Sequence, residues 1–360
     1  MIMESLISAS KNVQKNSTWN NFGHGWKEWS RNPIRARILL LKGGPGQGKS
    51  TVGQYFGQLQ RAAYILSKNG PNVTQHLHEI ATDLKHQATI DGYWPSVPRI
   101  PVFIELKDFA NWYSSKSELD ARNIVEYLCD KIRIKTSKIV TAEMMHEAFS
   151  LSTWFANFDG LDEVPNDLKD QVADEIITFA NELIPQLDAD FLILCTTRPQ
   201  GYSGQFENLY SATVTLTPLP PGIALACASS VVKFNRSEEE ASEAIKILDY
   251  AMESDQVREL MTTPLQSHIM AVVVRDGGRP PEKRWELFNN FYNVMKKRES
   301  QKNFPDIRIS ALLRDRDQLL KSIHDRLGVC LHTKSENSKG AEATFEKSEF
   351  YHLATQTAVM

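Results

Sequence analysis

A glycine-rich loop between a short apolar run and Lys-Ser-Thr constrains this chain more than any other feature of its sequence. The stretch LLLKGGPGQGKST, from Leu39 to Thr51, matches the pattern G-x-x-x-x-G-K-[ST] and has four glycines within six positions. Each glycine in a regular element costs about 0.5–1 kcal/mol relative to alanine, which favours a ligand-binding loop over a structural one. We therefore predict a strand over Ala36–Leu41, a phosphate-binding loop, and a helix over Ser50–Leu66.

The loop is predicted to bind the phosphates of a nucleotide. Glycines let backbone N–H groups surround a phosphate, and the helix that follows directs its positive end at the same group. Lys49 would reach the β- and γ-phosphates, and the Ser50 hydroxyl would bind Mg²⁺. The predicted nucleotide-binding residues are Gly43, Gly44, Pro45, Gly46, Gln47, Gly48, Lys49, Ser50 and Thr51.

A second motif, NFDGLDEVP, places three acids at the end of a predicted strand. Asp159 is the predicted Mg²⁺ ligand, because Mg²⁺ is usually bound by one or two carboxylates together with phosphates. Asp162 and Glu163 follow, and a carboxylate there can orient and deprotonate an attacking water. Three acids within five residues repel one another unless a cation shares them.

A third motif, CTTRP, ends another predicted strand with Arg198. If this strand is parallel to the other two, Arg198 would lie near the γ-phosphate, where a permanently charged, planar guanidinium is well suited. The alternative is a surface salt bridge made by an arginine at the end of a strand.

Bulk composition is that of an ordinary globular protein, with 41% hydrophobic and 24% charged residues among 360 and a net charge of −3. No global basic field indicates nucleic acid, and the short basic cluster Lys296–Arg298 is interpreted as a solvated helix end. Nucleic acid is therefore not expected as a direct ligand. The four cysteines are scattered without a C-x-x-C pair, which predicts neither zinc nor disulfides and indicates a cytoplasmic protein.

No membrane segment is expected. The longest uncharged stretch, Asn208–Val232, contains three prolines and cannot form one continuous spanning helix. The N-terminus has no basic region and too short an apolar run for a signal peptide.

Strands alternate with helices up to about residue 216, which predicts a parallel sheet in an α/β domain, and only helices are predicted in the region that follows. We predict a lead segment at 1–32, a nucleotide-binding α/β domain at 33–216 with an insertion at about 67–98, and a helical domain at 217–300. A further region at 301–360, with a short strand at Ala343–Phe345, ends as if within a longer protein. The predicted strands after the first are Ile100–Leu106, one in TWFANFD, Phe191–Pro199 and Ala212–Leu216.

The motifs GGPGQGKS, FDGLDE, TTRPQGY, LTPLP and TTPL, in this order over roughly residues 33–300, are similar to those of the NACHT family of STAND NTPases. This resemblance implies an AAA+-like P-loop domain, a helical domain and then a winged-helix-like domain. It implies an ATP/ADP switch that is closed and monomeric with ADP. A trigger ligand opens such a switch, and homo-oligomerisation then activates an effector domain or chain, in innate immunity or anti-phage defence.

The resemblance also assigns roles to individual residues. Lys49 and Ser50 become the phosphate and Mg²⁺ residues, and Asp159 and Glu163 the acid pair. Arg198 resembles the sensor arginine. Pro264 resembles the helical-domain proline that packs on the nucleotide base.

The chain departs from the family in two places. Asn157 interrupts the apolar strand before the acids. The winged-helix histidine that contacts ADP has no secure counterpart among His324, His332 and His352.

Three functions remain open from the sequence. The first is a slowly hydrolysing ATP switch. The second is a constitutive AAA+-type motor, which would need an arginine finger and pore loops. The third is a binding module that never hydrolyses its nucleotide, which the presence of Glu163 disfavours. ATP is favoured over GTP because the chain has no N-K-x-D guanine-reading motif.

Overall fold

The structure is a computed structural model that describes residues 3, 37–67, 73–117, 120–209, 211–300, 316–337, 345 and 347–359. The chain divides into two compact units. Unit 1 comprises Met1–Gly44 and Lys49–Leu216, and unit 2 comprises Pro45–Gly48 and Thr217–Met360. Four residues of the glycine-rich loop are thus grouped with the C-terminal part of the chain.

Unit 1 is built on a five-stranded parallel sheet in the order β2-β3-β4-β1-β5. Each of the central strands β1 and β4 contains a continuous apolar run, residues 38–41 and 191–195, that is buried throughout, as expected for strands covered on both faces. The sheet confirms the predicted α/β class. The strands are β1 (Ile38–Lys42), β2 (Ile100–Glu105), β3 (Thr153–Asp159), β4 (Asp190–Thr197) and β5 (Ala212–Thr215).

Helices connect these strands. They are α1 (Lys49–Ser67), α2 (Gln75–Ile90), α3 (Leu106–Ser115), α4 (Ile124–Thr136), α5 (Ala142–Leu151) and α6 (Asn166–Thr178). The last continues through a π-helical segment, Phe179–Leu183, into a final turn, Ile184–Gln186. The stretch predicted as an insertion contains a regular helix, α2, whose N-cap Thr74 accepts a hydrogen bond from the N–H of Leu77. Helices α3 and α5 were not predicted from the sequence.

Two glycines allow α1 to lie unusually close to the sheet. A Cβ atom placed on Gly57 would lie 2.0 Å from Cζ of Phe103 on β2. One placed on Gly53 would lie 2.6 Å from Nδ2 of Asn157 on β3. The glycines follow each other at i and i+4 on one helix face, and Phe103 and Asn157 are register partners, so each side chain fills the space above one glycine.

The amino ends of β2, β3 and β4 are joined by a fully buried arginine. Nη1 of Arg99 donates to the carbonyl of Trp154 at 3.2 Å and lies 2.8 Å from Oδ1 of Asp190. The N–H of Arg99 donates to Oε1 of Gln60 on α1 at 2.9 Å. Burial lowers the pKa of Arg99, and Asp190 opposes this effect.

Unit 2 is helical in its described residues. Its core lies between α7, α8 and α10 and includes Val232, Leu248, Met270 and Val273. A capping box starts α8, where Ser237 and Glu240 bond to each other's backbone N–H groups. The helices are α7 (Pro221–Lys233), α8 (Glu238–Ala251), α9 (Asp255–Leu260), α10 (Pro264–Arg275), α11 (Arg284–Ser300), α12 (Asp317–Asn337) and α13 (Lys347–Val359).

The order of a parallel α/β sheet followed by helices confirms the predicted fold class, whereas the winged-helix-like region and the domain assignments stay predictions. The lead segment 1–32, apart from Met3, and the strand Ala343–Phe345, apart from Phe345, lie outside the described residues. Within the part of the chain that the structure describes, no helix is long and apolar enough to cross a lipid bilayer.

Candidate functional site

The glycine-rich loop leaves the carboxyl end of β1 and enters α1 at Lys49. The N–H of Gly43 donates to the carbonyl of Thr197 on the neighbouring strand at 3.1 Å, which fixes the start of the loop. Gly46 and Gly48 have φ angles of 71° and 90°, in the left-handed region that favours glycine. Nζ of Lys49 donates to the carbonyl of Gly43 at 2.7 Å, so the lysine is folded back over its own loop.

The tip of the loop makes specific contacts within unit 2. The N–H of Leu265 donates to the carbonyl of Gly46 at 3.2 Å, and a Cβ atom on Gly46 would lie 2.9 Å from Cβ of Leu265. Pro264 occupies the first turn of α10, and its Cγ would lie 3.7 Å from a Cβ atom on Gly48. The predicted base-contacting Pro264 therefore neighbours the loop tip, and its role in base binding stays a prediction.

Asp159 ends β3, and a threonine on β4 holds its carboxylate. Oγ1 of Thr196 donates to Oδ1 of Asp159 and accepts the N–H of Gly160 at 2.8 Å. Thr196 is fully buried and its bond to Gly160 is shielded from water, whereas its bond to Asp159 is partly buried. Gly160 has a φ angle of 80°, which turns the chain into the short 3₁₀ helix Leu161–Glu163.

Asp162, the second acid of the motif, binds Arg198, the residue predicted to contact the γ-phosphate. Oδ1 of Asp162 accepts the N–H of Arg198 at 2.9 Å, and Oδ2 lies 2.8 Å from Nε of the same residue. The Asp162 side chain is only 4% exposed, against 27% for Arg198. Arg198 therefore makes a salt bridge, but its acid is buried, so the pair differs from the surface salt bridge considered as the alternative. The predicted role of Arg198 toward a γ-phosphate stays a prediction. The roles of Asp162 and Glu163 toward water stay predictions.

Charged groups at the ends of two strands, β3 and β4, act on Lys49. Burial lowers the pKa of Lys49 below its ordinary value, and Arg198 acts in the same direction. Asp162, Asp159 and Glu163 oppose this effect. The arginine and the three acids, predicted from separate motifs, thus all lie within electrostatic range of Lys49 at the carboxyl edge of the sheet.

This donor set fits a magnesium nucleotide. Lys49 and the first amides of α1, which have no partner within the helix, are suited to phosphate oxygens. Ser50 is exposed in the first turn of α1, and Asp159 has one carboxylate oxygen held by Thr196. Within the described residues, no cluster of three or more His, Cys, Asp or Glu side chains could hold a metal ion. A metal here would therefore need phosphate oxygens among its ligands. Mg²⁺ commonly binds through few protein ligands plus phosphates.

Thr196 is a site residue to which the sequence analysis assigned no role. Its signal was the Thr-Thr pair before Arg198, at the end of a strand otherwise apolar. From the sequence, Asn157 was seen only as a polar residue that interrupts an apolar strand. In the structure its side-chain amide lies against Gly53 of α1.

No protein-family model matches the chain, and no curated protein matches it. Among solved structures, the chain is similar to that of PCH-2 from C. elegans, with 16% sequence identity and a TM-score of 0.37. The match covers 83% of this chain and 69% of that one. The class of fold follows from the sheet order and the loop. It is a parallel α/β fold with a P-loop after its first strand.

Proposed function

We propose that the chain is an ATP-binding, slowly hydrolysing signalling switch of the STAND type, used in innate immune or anti-phage defence. The observation that carries the nucleotide part is the convergence of Lys49, Asp159 and the Asp162–Arg198 pair at one edge of the parallel sheet. Ligands of open α/β sheets bind at this carboxyl edge. The switch and defence parts rest on the motif resemblance.

In the proposed site each residue has one task. Lys49 and the loop amides bind the phosphates, while Ser50 and Asp159 would hold Mg²⁺, which neutralises charge on the phosphates when bound. Glu163 orients the attacking water. Pro264 packs on the base of ADP.

Arg198 supplies the proposed difference between the two nucleotide states. With ADP it stays on Asp162, as in the structure. A γ-phosphate carries more negative charge than the Asp162 carboxylate and can accept two parallel bonds from a guanidinium, so we expect it to compete with Asp162 for Arg198. ATP would thereby favour the open form, homo-oligomerisation and effector activation, whereas ADP keeps the switch closed.

The test begins with the nucleotide that co-purifies with the chain, released by denaturation and identified by chromatography. We expect close to one ADP per monomer, with the molar mass of a monomer measured on the same sample. Empty protein that forms a ring and hydrolyses added ATP rapidly would contradict the switch and favour a motor.

Two variants test the assignments. Lys49→Ala should abolish nucleotide binding, whereas Lys135→Ala, at an exposed position near the end of α4, should leave it unchanged. Unchanged affinity in Lys49→Ala would overturn the site. Glu163→Gln should retain ATP binding and lose hydrolysis; normal hydrolysis would show that another group activates the water.

A further inference from the structure

A cavity of about 210 Å³ lies between α1 and the carboxyl ends of β2 and β3. Its helical wall is formed by Gln54, Gln58 and Arg61, one face of α1 at helical spacing. Its sheet wall includes Phe103 and Glu105. The cavity exists beside the points where Gly53 and Gly57 bring α1 down onto the sheet.

Asn157 lines this cavity and has an unmade hydrogen bond. Its side chain is 1% exposed, and its Oδ1 has no partner among the described residues. A buried acceptor without a donor costs about 1–3 kcal/mol, since the group has lost its bonds to water. The strand positions around it are apolar, so nothing in the packing requires an amide here. A ligand with an N–H group would satisfy this oxygen.

The cavity is also lined by two carboxylates, those of Glu105 and Asp159. Glu105 and Asp159 are register partners on adjacent parallel strands, so their side chains project from the same face of the sheet. Two carboxylates so placed repel each other, and a cation between them removes the cost. The ring of Phe103 adds a face that attracts cations. Nη1 of Arg61 already donates to Oε1 of Gln58 at 2.8 Å.

We infer that this cavity binds the guanidinium or ammonium group of a small organic molecule, through Asn157, Glu105 and Asp159. The combination of an amide oxygen, two carboxylates and an aromatic ring offers acceptors and a π face, which suit an organic cation. The volume is below that of sites for drug-sized ligands, about 300–1,000 Å³, so the ligand has the size of a metabolite amine. The site shares Asp159 with the proposed Mg²⁺ site. It needs neither phosphate nor Mg²⁺, so its occupation can be measured without nucleotide.

The experiment is calorimetric titration of the full chain, free of nucleotide and Mg²⁺, with agmatine as the cation and glutarate as an anion of similar length. We expect 1:1 binding of agmatine and none of glutarate. No heat with agmatine at about 10 mM, or preferred binding of glutarate, would overturn the site. Because no nucleotide is present, either result leaves the test of the proposed function unaffected.

Variants assign the contacts. Glu105→Gln changes an exposed side chain and should lower the affinity for agmatine at least about tenfold. Glu147→Gln, the same change at an exposed position on α5, should bind like the parent. Equal affinity in the parent and Glu105→Gln would contradict the assignment.

Two further variants test the amide oxygen. Asn157→Asp keeps an acceptor oxygen and adds negative charge, so it should increase the affinity for agmatine. Asn157→Leu removes the acceptor and should abolish agmatine binding. Tighter binding by Asn157→Leu than by Asn157→Asp would show that the amide does not act as an acceptor. If the variants of the buried Asn157 do not fold, Glu105→Gln still tests the site, because Glu105 is exposed.

Light scattering on the same samples identifies the source of the cationic group. A free small molecule leaves the molar mass unchanged. If the natural occupant were a Lys or Arg side chain of a second copy, agmatine would displace it and the molar mass would fall. That fall would overturn the assignment to a small molecule.

Discussion

Asp162 receives both the backbone N–H and the guanidinium of Arg198, at 2.9 and 2.8 Å, while it is itself almost fully buried. The 3₁₀ turn after β3 is thereby tied to the residue that follows β4. These two contacts fix the position of the Arg198 side chain. Any movement of the guanidinium away from Asp162 would break their salt bridge. The pair is accordingly the feature of the site that mutagenesis can test most directly.

Removal of either partner of this pair should destabilise unit 1. Asp162→Ala leaves the Arg198 guanidinium without its acid, and we expect a loss of about 1–3 kcal/mol in the free energy of unfolding, with Arg198 partly solvated. Arg198→Ala leaves a buried carboxylate and should cost as much or more. Urea unfolding of both single variants and the double variant gives their coupling. Strictly additive losses would show that the contact contributes nothing.

Thr196→Val should weaken the metal-dependent part of nucleotide binding. The substitution removes the hydroxyl that donates to Asp159 and leaves the N–H of Gly160 without its acceptor, at a cost of about 1–3 kcal/mol in stability. We expect a larger loss of ATP affinity with Mg²⁺ than with EDTA, measured by calorimetry. Thr196→Ser keeps the hydroxyl and is the matched control. Equal losses with and without Mg²⁺ would assign Thr196 a purely structural role.

Nucleotide binding at alkaline pH should take up protons through Lys49. Its pKa in the free protein is below the ordinary value of 10.5, chiefly through burial. At about pH 9.5 part of the lysine is therefore neutral, and bound phosphate raises its pKa and favours its charged form. Titrations in two buffers of different ionisation enthalpy measure the uptake. Lys49→Arg, which does not titrate in this range, should show none. Net proton release by the parent would contradict the sign of this coupling.

The two glycines of α1 should tolerate no side chain. Gly57→Ala places a methyl group against the Phe103 ring, and Gly53→Ala places one against the Asn157 amide. Overpacking of this kind costs about 1–3 kcal/mol, read out as a lower Tm. A reduction of the opposing side chain in Gly57→Ala/Phe103→Leu should restore part of the loss. Gly222→Ala on α7, where a Cβ atom would meet nothing within 4 Å, should be neutral or slightly stabilising. Wild-type stability of Gly57→Ala would refute the close packing.

The loop and the strands were predictable from the sequence because their signals are local. A P-loop motif is contiguous, and the buried strands are short apolar runs, so β1 and β4 were placed within two residues at each end. Helix α3 was missed because it starts at Leu106 directly after β2, with no Gly or Pro between them to mark the change of element.

The contacts of the site were less predictable because they depend on which strand ends become neighbours. Arg198 follows β4 and Asp162 follows β3, and only the parallel pairing of these two strands brings them together. The same pairing aligns Thr196 with Asp159. The sequence named these charged groups, but it could not show that Asp162 is the partner of Arg198.

Arg99 has a consequence for protein engineering. At the amino ends of the strands a single buried cation bonds to β3 and β4, and its own backbone is held by Gln60 of α1. Substitutions there are expected to alter the pairing of the whole sheet. Near the carboxyl ends of the strands lie exposed side chains instead, such as Ser50 in the first turn of α1 and Glu105 at the end of β2. A redesign of ligand specificity should therefore vary the carboxyl ends and leave the shell around Arg99 untouched.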